Sequence, residues 1–154
     1  MDPGLREEIL SVLKDASDMT IATIRPDGYP QATTVSYVSD GLTIYFGCAA
    51  VSQKAQNIAY SDKVSLTVTL PYFNWEEIRG LSIGGTAMPV TDPNEINRVS
   101  ELMLRKFPQI LRYALAGEKG LFLVRVTLEV VSLLDYRKGF GHIDPRQALM
   151  ARRK

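Results

Sequence analysis

A mainly β domain with helices, built as a six-stranded antiparallel sheet closed into a barrel, is the fold class this sequence predicts. Three observations predict it. Apolar and polar residues alternate with a period of two in several segments, as half-buried strands require. Tight-turn signatures join the first three of those segments. Regular strand–helix alternation, the mark of a doubly wound parallel sheet, is absent, so helices fill the gaps of an antiparallel barrel.

The elements follow in order. Residues 5–16 set Leu5, Ile9, Val12, Leu13 and Ala16 on one helical face. Residues 19–25 form a short β-branched strand, closed by Pro26-Asp27-Gly28, where Pro presets φ and Gly tolerates a positive one. Residues 31–38 are the second strand, and Ser39-Asp40-Gly41 turns the chain into a third, with Leu42, Ile44 and Phe46 alternating against Thr43, Tyr45 and Gly47. These three strands read as a meander. Ser52 caps a short helix over 52–61 with an Ala55, Ile58, Ala59 stripe. Val64, Leu66, Val68 and Leu70 alternate with Ser65, Thr67 and Thr69 in the fourth strand. Residues 79–90 form the fifth, in which Gly84-Gly85 signals a bulge or a close backbone approach. Asp92-Pro93-Asn94-Glu95 opens a helix with Asp as cap, Pro at the first position and Glu at the third; Ile96, Val99 and Met103 line its face. Phe107-Pro108 breaks it before a short helix over 110–116. Residues 121–136 are the sixth strand, with Phe122, Val124, Val126, Leu128 and Val130 on one side. The tail after Lys138 reads as irregular.

With 154 residues the chain makes one domain, spanning 1–154, with 137–154 as its tail. Eighteen Lys and Arg against 17 Asp and Glu leave a net charge of +1, which argues against a nucleic-acid binder. One Cys excludes an intrachain disulfide, and one Cys with one His excludes a four-ligand Cys/His zinc site, so no metal is expected. No apolar run reaches the roughly 18 residues of a membrane span, and Met1-Asp2-Pro3-Gly4 has no signal-peptide character. A cytoplasmic location and no membrane partner are the expectation.

Four motifs bear on chemistry. Gly80-Leu81-Ser82-Ile83-Gly84 matches a nucleophile elbow, but an elbow needs a helix next and here a strand continues, so Ser82 reads as a strand serine. Cys48 has no adjacent base and reads as a small buried hydrophobe. His142 follows Gly139-Phe140-Gly141 and reads as a tail histidine, with a site role open to it because glycines admit close approach. Ser52-Gln53-Lys54 is the most informative. A capped helix start with a lysine in its first turn is an anion site, since the dipole disfavours a cation there unless an anion sits nearby; the plain alternative is a capped helix with a solvated lysine. The Thr-rich strand Gln31-Ala32-Thr33-Thr34-Val35-Ser36 could offer main-chain groups and hydroxyls to a flat cofactor, or simply carry threonines on a solvated face. Arg146, Arg152, Arg153 and Lys154 read as a solubilising terminus.

Ile24-Arg25-Pro26-Asp27-Gly28-Tyr29-Pro30-Gln31, the strand at 42–46, Ser52-Gln53-Lys54-Ala55-Gln56-Asn57-Ile58 and the strands at 64–68 and 79–87 occur in an order that resembles the pyridoxamine 5′-phosphate oxidase-like family of flavin-binding split barrels. The resemblance covers about residues 5–136. It implies a split barrel and a homodimer with flavin mononucleotide (FMN) at the subunit interface. It implies that Gln31, Ala32, Thr33, Thr34, Val35 and Ser36 border the flavin ring, and that Ser52, Gln53 and Lys54 hold the phosphate. Cys48 falls where some members carry a hydroxyl near the ribityl phosphate. Gln53 stands where true pyridoxamine phosphate oxidases commonly have Arg, and Lys138-Gly139-Phe140-Gly141-His142 replaces their longer C-terminal region, so vitamin B6 oxidation is not assigned. The expectation is an FMN-dependent oxidoreductase acting on a small-molecule substrate, with no catalytic side chain identified. The alternatives are a deazaflavin-dependent reductase or a non-catalytic flavin or haem protein. Trp75, Arg79 and residues 136–142 are the expected interface residues near the site.

Overall fold

The computed structural model describes residues 1–115, 120–146 and 148–149. The end of the last short helix at 116–117 and the basic residues 152–154 lie outside them. The elements in chain order are α1 (Pro3–Asp15), β1 (Asp18–Ile24), β2 (Pro30–Ser36), β3 (Val38–Asp40), β4 (Thr43–Ala49), α2 (Gln53–Tyr60), β5 (Lys63–Thr69), β6 (Arg79–Pro89), α3 (Pro93–Lys106), α4 (Ile110–Leu115), β7 (Leu121–Asp135) and β8 (Ala148–Leu149). Two 3-10 turns, Trp75–Glu77 and Tyr136–Lys138, flank β6 and end β7. Every pairing is antiparallel, in the order β2-β1-β5-β6-β7-β4-β3, with β8 on β7. The sheet curls into a barrel split between β2 and the β4–β3 edge.

Six strands were expected, and the main path holds seven. The difference arises at Tyr37, where the second strand breaks. Its ring is buried and its hydroxyl donates to the Leu13 carbonyl oxygen at 2.7 Å, pinning the chain against α1. Residues 38–40 leave as the separate short strand β3. The opening meander is corrected with it: β4 pairs with β3 and β7, not with β2. Gly41, at φ 58°, supplies the positive dihedral that the two-residue β3–β4 turn needs.

The inner faces pack as their alternation requires. Leu66, Val68, Val124 and Val126 are buried with Ile21, Ile44 and Phe46, and α1 lays Leu5, Ile9, Val12 and Leu13 on them. The Gly84-Gly85 bulge is present: Gly84 faces Val130 while Gly85 faces Leu128, leaving Glu129 as the extra residue on β7. One inserted residue inverts strand parity. Val130, expected inside, is therefore 45% exposed, and Val131 and Leu133 are buried in its stead.

A smaller cluster lies on the other face of β4, under α3. Val38, Tyr45, Val90 and Val99 form it, with Ile96, Met103, Phe107 and Leu123 packed around. Asp92 caps α3 as expected, accepting the Glu95 N–H at 3.2 Å. Glu95 then accepts from the Tyr45 hydroxyl at 2.7 Å and from Arg125 at 2.5 Å, fastening the helix to the sheet. Burial, and then the bond to Glu95, pushes the Tyr45 phenol up to about 12.

Residues beyond Lys138 return to the sheet where irregular chain was expected. Ile143 bridges Leu134, and β8 pairs with Val130 and Val131. The reason is an ion-pair clamp. Asp144, 5% exposed, accepts from Arg146 Nε and Nη2 at 2.9 and 2.8 Å, and Arg146 extends to Asp2 at 3.0 Å and Glu8 at 2.9 Å on α1. The bonds from Arg146 hold the Asp144 carboxyl far below the usual carboxylate range. A carboxyl lowered in the folded state contributes stability above its unfolded value of about 3.9, and that contribution is lost as pH falls below it. The expected result is a melting temperature that declines on acidification below about pH 4. Asp144→Asn should be less stable at neutral pH and lose less over the same titration; parallel acid profiles for the two proteins would remove Asp144 from this account.

Candidate functional site at the start of the second helix

β4 ends at Ala49, and the chain turns with the Ser52 N–H donating to the Ala49 carbonyl at 3.0 Å. The Ala50 N–H donates across to the Gly120 carbonyl at 2.7 Å, so β7 fixes where α2 begins. Ser52 Oγ accepts the Ala55 N–H at 3.1 Å and stands 3.3 Å from Cys48 Sγ. Cys48 is thus buried at the end of β4 with its thiol against the cap. The N–H groups of Gln53 and Lys54 belong to the first turn, where a helix has no acceptors of its own. Lys54 is half-buried in that same turn, and among the described residues it forms no ion pair. A cation beside the positive end of a helix, without a carboxylate partner, is an arrangement that an anion completes.

The Gln53 side chain does not face that anion position. Its amide donates to Asn57 Oδ1 at 2.8 Å, and Asn57 Nδ2 donates to Thr23 Oγ1 and Gln31 Oε1, both at 3.0 Å. Asn57 is fully buried, so this network ties α2 to β1 and β2 at fixed distance. The Asn57 hub was not legible as such; its signal was a polar residue on the apolar stripe between Ala55 and Ile58.

Among the described residues β2 is an edge strand paired with β1 alone, so alternate main-chain N–H and C=O groups from Gln31 to Ser36 face away from the sheet. Ala32, Thr34 and Ser36 are exposed; Gln31, Thr33 and Val35 turn inward. Thr33 Oγ1 is buried without a hydrogen-bond partner among the described residues. Buried hydroxyls are nearly always satisfied, so an orphan one on this strand marks a place for a polar group from outside the chain. A cavity of 790 Å³ adjoins the strand and includes Val35 and Ser36 in its wall.

At the other end of β6 the two 3-10 turns bring aromatic residues together. Phe140 lies 5.8 Å from Trp75 and 5.5 Å from Tyr136 between ring centroids. Phe73 is 98% and Phe140 80% exposed, an apolar surface in water. Arg79 Nε, at the start of β6, is buried without a hydrogen-bond partner among the described residues. His142 sits in the same turn, its N–H donating to the Gly139 carbonyl. Ser82 lies mid-strand in β6 opposite Thr67 and Ser132, with no turn beside it. None of these residues joins the α2 start within this chain's described contacts.

A model of the family described as pyridoxamine 5′-phosphate oxidase matches residues 5–135. A pyridoxine/pyridoxamine 5′-phosphate oxidase of Bradyrhizobium diazoefficiens is 34% identical over 92 residues, 57% of this chain and 40% of that protein. The chain thus matches less than half the length of that curated relative. Among solved structures, a conserved hypothetical protein of Mycobacterium tuberculosis is 27% identical with a TM-score of 0.75, covering 94% of this chain and 91% of that one. A haem binding protein of Mycobacterium smegmatis shares the fold with a TM-score of 0.80 at 16% identity, covering 97% of this chain and 59% of that one. No helix among the described residues is long and apolar enough to cross a membrane.

Proposed function

Because the chain belongs to the pyridoxamine 5′-phosphate oxidase family, we propose that it binds FMN and works as an oxidoreductase. Lys54 carries this reading: a cation in the first turn of α2, without a described counter-charge, beside first-turn N–H groups. The phosphate is held by Ser52, Lys54 and the main-chain N–H of Gln53. The ring lies along β2, its heteroatoms meeting free main-chain groups between Gln31 and Ser36, and the orphan Thr33 hydroxyl suits a polar group there. When bound, the flavin supplies two-electron redox chemistry; the protein anchors, orients and shields it. The Asn57 network keeps the phosphate cradle and the ring strand in register. Cys48, with its thiol turned to Ser52, holds the cap in place rather than binding phosphate directly. A titration of the flavin-free protein with FMN and with riboflavin tests the reading: FMN should bind more tightly, and equal affinities would defeat it.

A second reading, haem binding, draws on the fold shared with the Mycobacterium smegmatis haem binding protein. It needs an axial ligand, and the sole histidine, His142, lies in the turn after β7. The visible spectrum of the purified protein separates the readings: flavin maxima support FMN, a Soret band supports haem, and a deazaflavin band supports the deazaflavin alternative.

A ring laid on an edge strand is covered on one side only, so the proposal includes a homodimer. The exposed Phe73, Trp75 and Phe140 surface and the orphan Arg79 Nε support an interface at that end. The chain is expected to sediment as a dimer at micromolar concentration, and Phe140→Asp to shift it towards monomer. A wild-type monomer fully loaded with flavin would overturn the dimer.

A further inference from the structure

The cavity beside β2 has a chemistry of its own. Ile96, Met103 and Phe107 of the α3 side and Leu123 of β7 wall it, and its volume is 790 Å³, within the usual range of small-molecule sites of about 300–1,000 Å³. Among the described residues, no Lys, Arg, His, Asp or Glu lines it. Lys106, beside the lining residue Phe107, and Arg125 of β7 are committed elsewhere: Lys106 Nζ donates to the Ala16 carbonyl at 2.6 Å, and Arg125 pairs with Glu95. The polar groups are Ser36, Ser100 and Gln109.

Gly47 lines the same cavity and shows that its depth is written into the sequence. Its dihedrals are not in the left-handed region, and a Cβ built on it would meet nothing within 4 Å. No backbone requirement calls for glycine, and glycine weakens a strand. Tyr45, two residues earlier on the same face, is packed under α3. The missing side chain at Gly47 leaves space where any other residue would fill it.

We propose that this cavity binds an uncharged, predominantly apolar small molecule carrying one or two hydrogen-bonding groups. The walls reward apolar surface, the three polar groups orient it, and a buried phosphate or carboxylate would find no counter-charge among the described lining residues. Calling that molecule the flavin's reaction partner rests on the FMN reading; its chemical class does not.

The test uses 2-naphthol and 2-naphthyl phosphate, which share a ring system and differ in charge, titrated calorimetrically into the full chain with and without FMN. The neutral compound should bind at least about tenfold more tightly than the phosphate ester. Ser100→Trp, at an exposed position on the rim, and Gly47→Val, in the open space, should each weaken it by a similar factor, with circular dichroism confirming that both fold. Absence of naphthol binding, equal affinity for the ester, or indifference to both variants would overturn the proposal. So would one-for-one displacement of naphthol by FMN, which makes the cavity the flavin's own bed and leaves the FMN reading standing. If FMN fails to bind while naphthol binds with the expected preference and variant losses, the cavity proposal holds and the FMN reading falls.

Discussion

Lys54→Ala is expected to weaken FMN binding by about 10- to 150-fold while leaving riboflavin binding unchanged. A charge-assisted hydrogen bond to phosphate contributes about 1.5–3 kcal/mol, and about 1.4 kcal/mol is a factor of ten. Riboflavin has no phosphate, so its affinity reports the ring strip alone. Stability should stay level or rise slightly, because a cation at the positive end of α2 is unfavourable once no anion is there. Ser52→Ala is the weaker experiment, since Ser52 Oγ also caps Ala55 and its loss costs about 1 kcal/mol of helix stability. The measurement is a pair of fluorescence titrations on each flavin-free protein. Wild type and variant discriminating equally between FMN and riboflavin would put the phosphate elsewhere, and the assignment of Ser52, Gln53 and Lys54 would fail together.

What was legible in the sequence was local. The apolar stripe of α1, the alternation of β5, the Asp92 cap and the Gly84-Gly85 bulge each depend on residues within a turn or two of one another, and each is present. What was not legible depends on distant partners. Nothing near residue 37 says that its hydroxyl will be taken by Leu13, so the strand break there and the pairing of β4 with β7 were missed. The bulge was anticipated, but its consequence was not: the extra residue falls on β7, more than 40 positions away, and turns Val130 outward. The site divides the same way. The α2 start was readable because cap, first-turn lysine and helix are contiguous. The cavity was not, because it is assembled from β2, β4, α3, α4 and β7. Its one local sign was Gly47, a glycine interrupting a strand that needs none. The Asp144–Arg146 clamp was hidden similarly: in sequence it is a charged tail, and only the return to α1 gives Asp2 and Glu8 to Arg146.

Gly85→Ala is expected to destabilise the fold by about 1–3 kcal/mol, and Gly84→Ala, one residue away, to be neutral or stabilising by up to about 1 kcal/mol. The two glycines differ in what a methyl group would meet. At Gly85 an added Cβ would lie 2.5 Å from the Thr127 carbonyl oxygen and 3.2 Å from Val126 Cγ1. That oxygen belongs to the backbone of β7, the central partner of β6, so the methyl group is accommodated only by parting the β6–β7 ladder or shifting Val126 in the core. At Gly84 the nearest atom is Val130 Cβ at 3.9 Å, an ordinary contact, and replacing glycine lowers the entropy of the unfolded chain. For a chain of this length each kcal/mol moves the melting temperature by roughly 2–4 °C, so Gly85→Ala should melt about 2–12 °C lower and Gly84→Ala within a few degrees of wild type. Both residues sit at the register shift, and a loss that came merely from disturbing the bulge would appear in both variants. Equal melting temperatures for the two, or a larger loss at Gly84, would mean that Gly85 is not where the two strands approach too closely for a side chain.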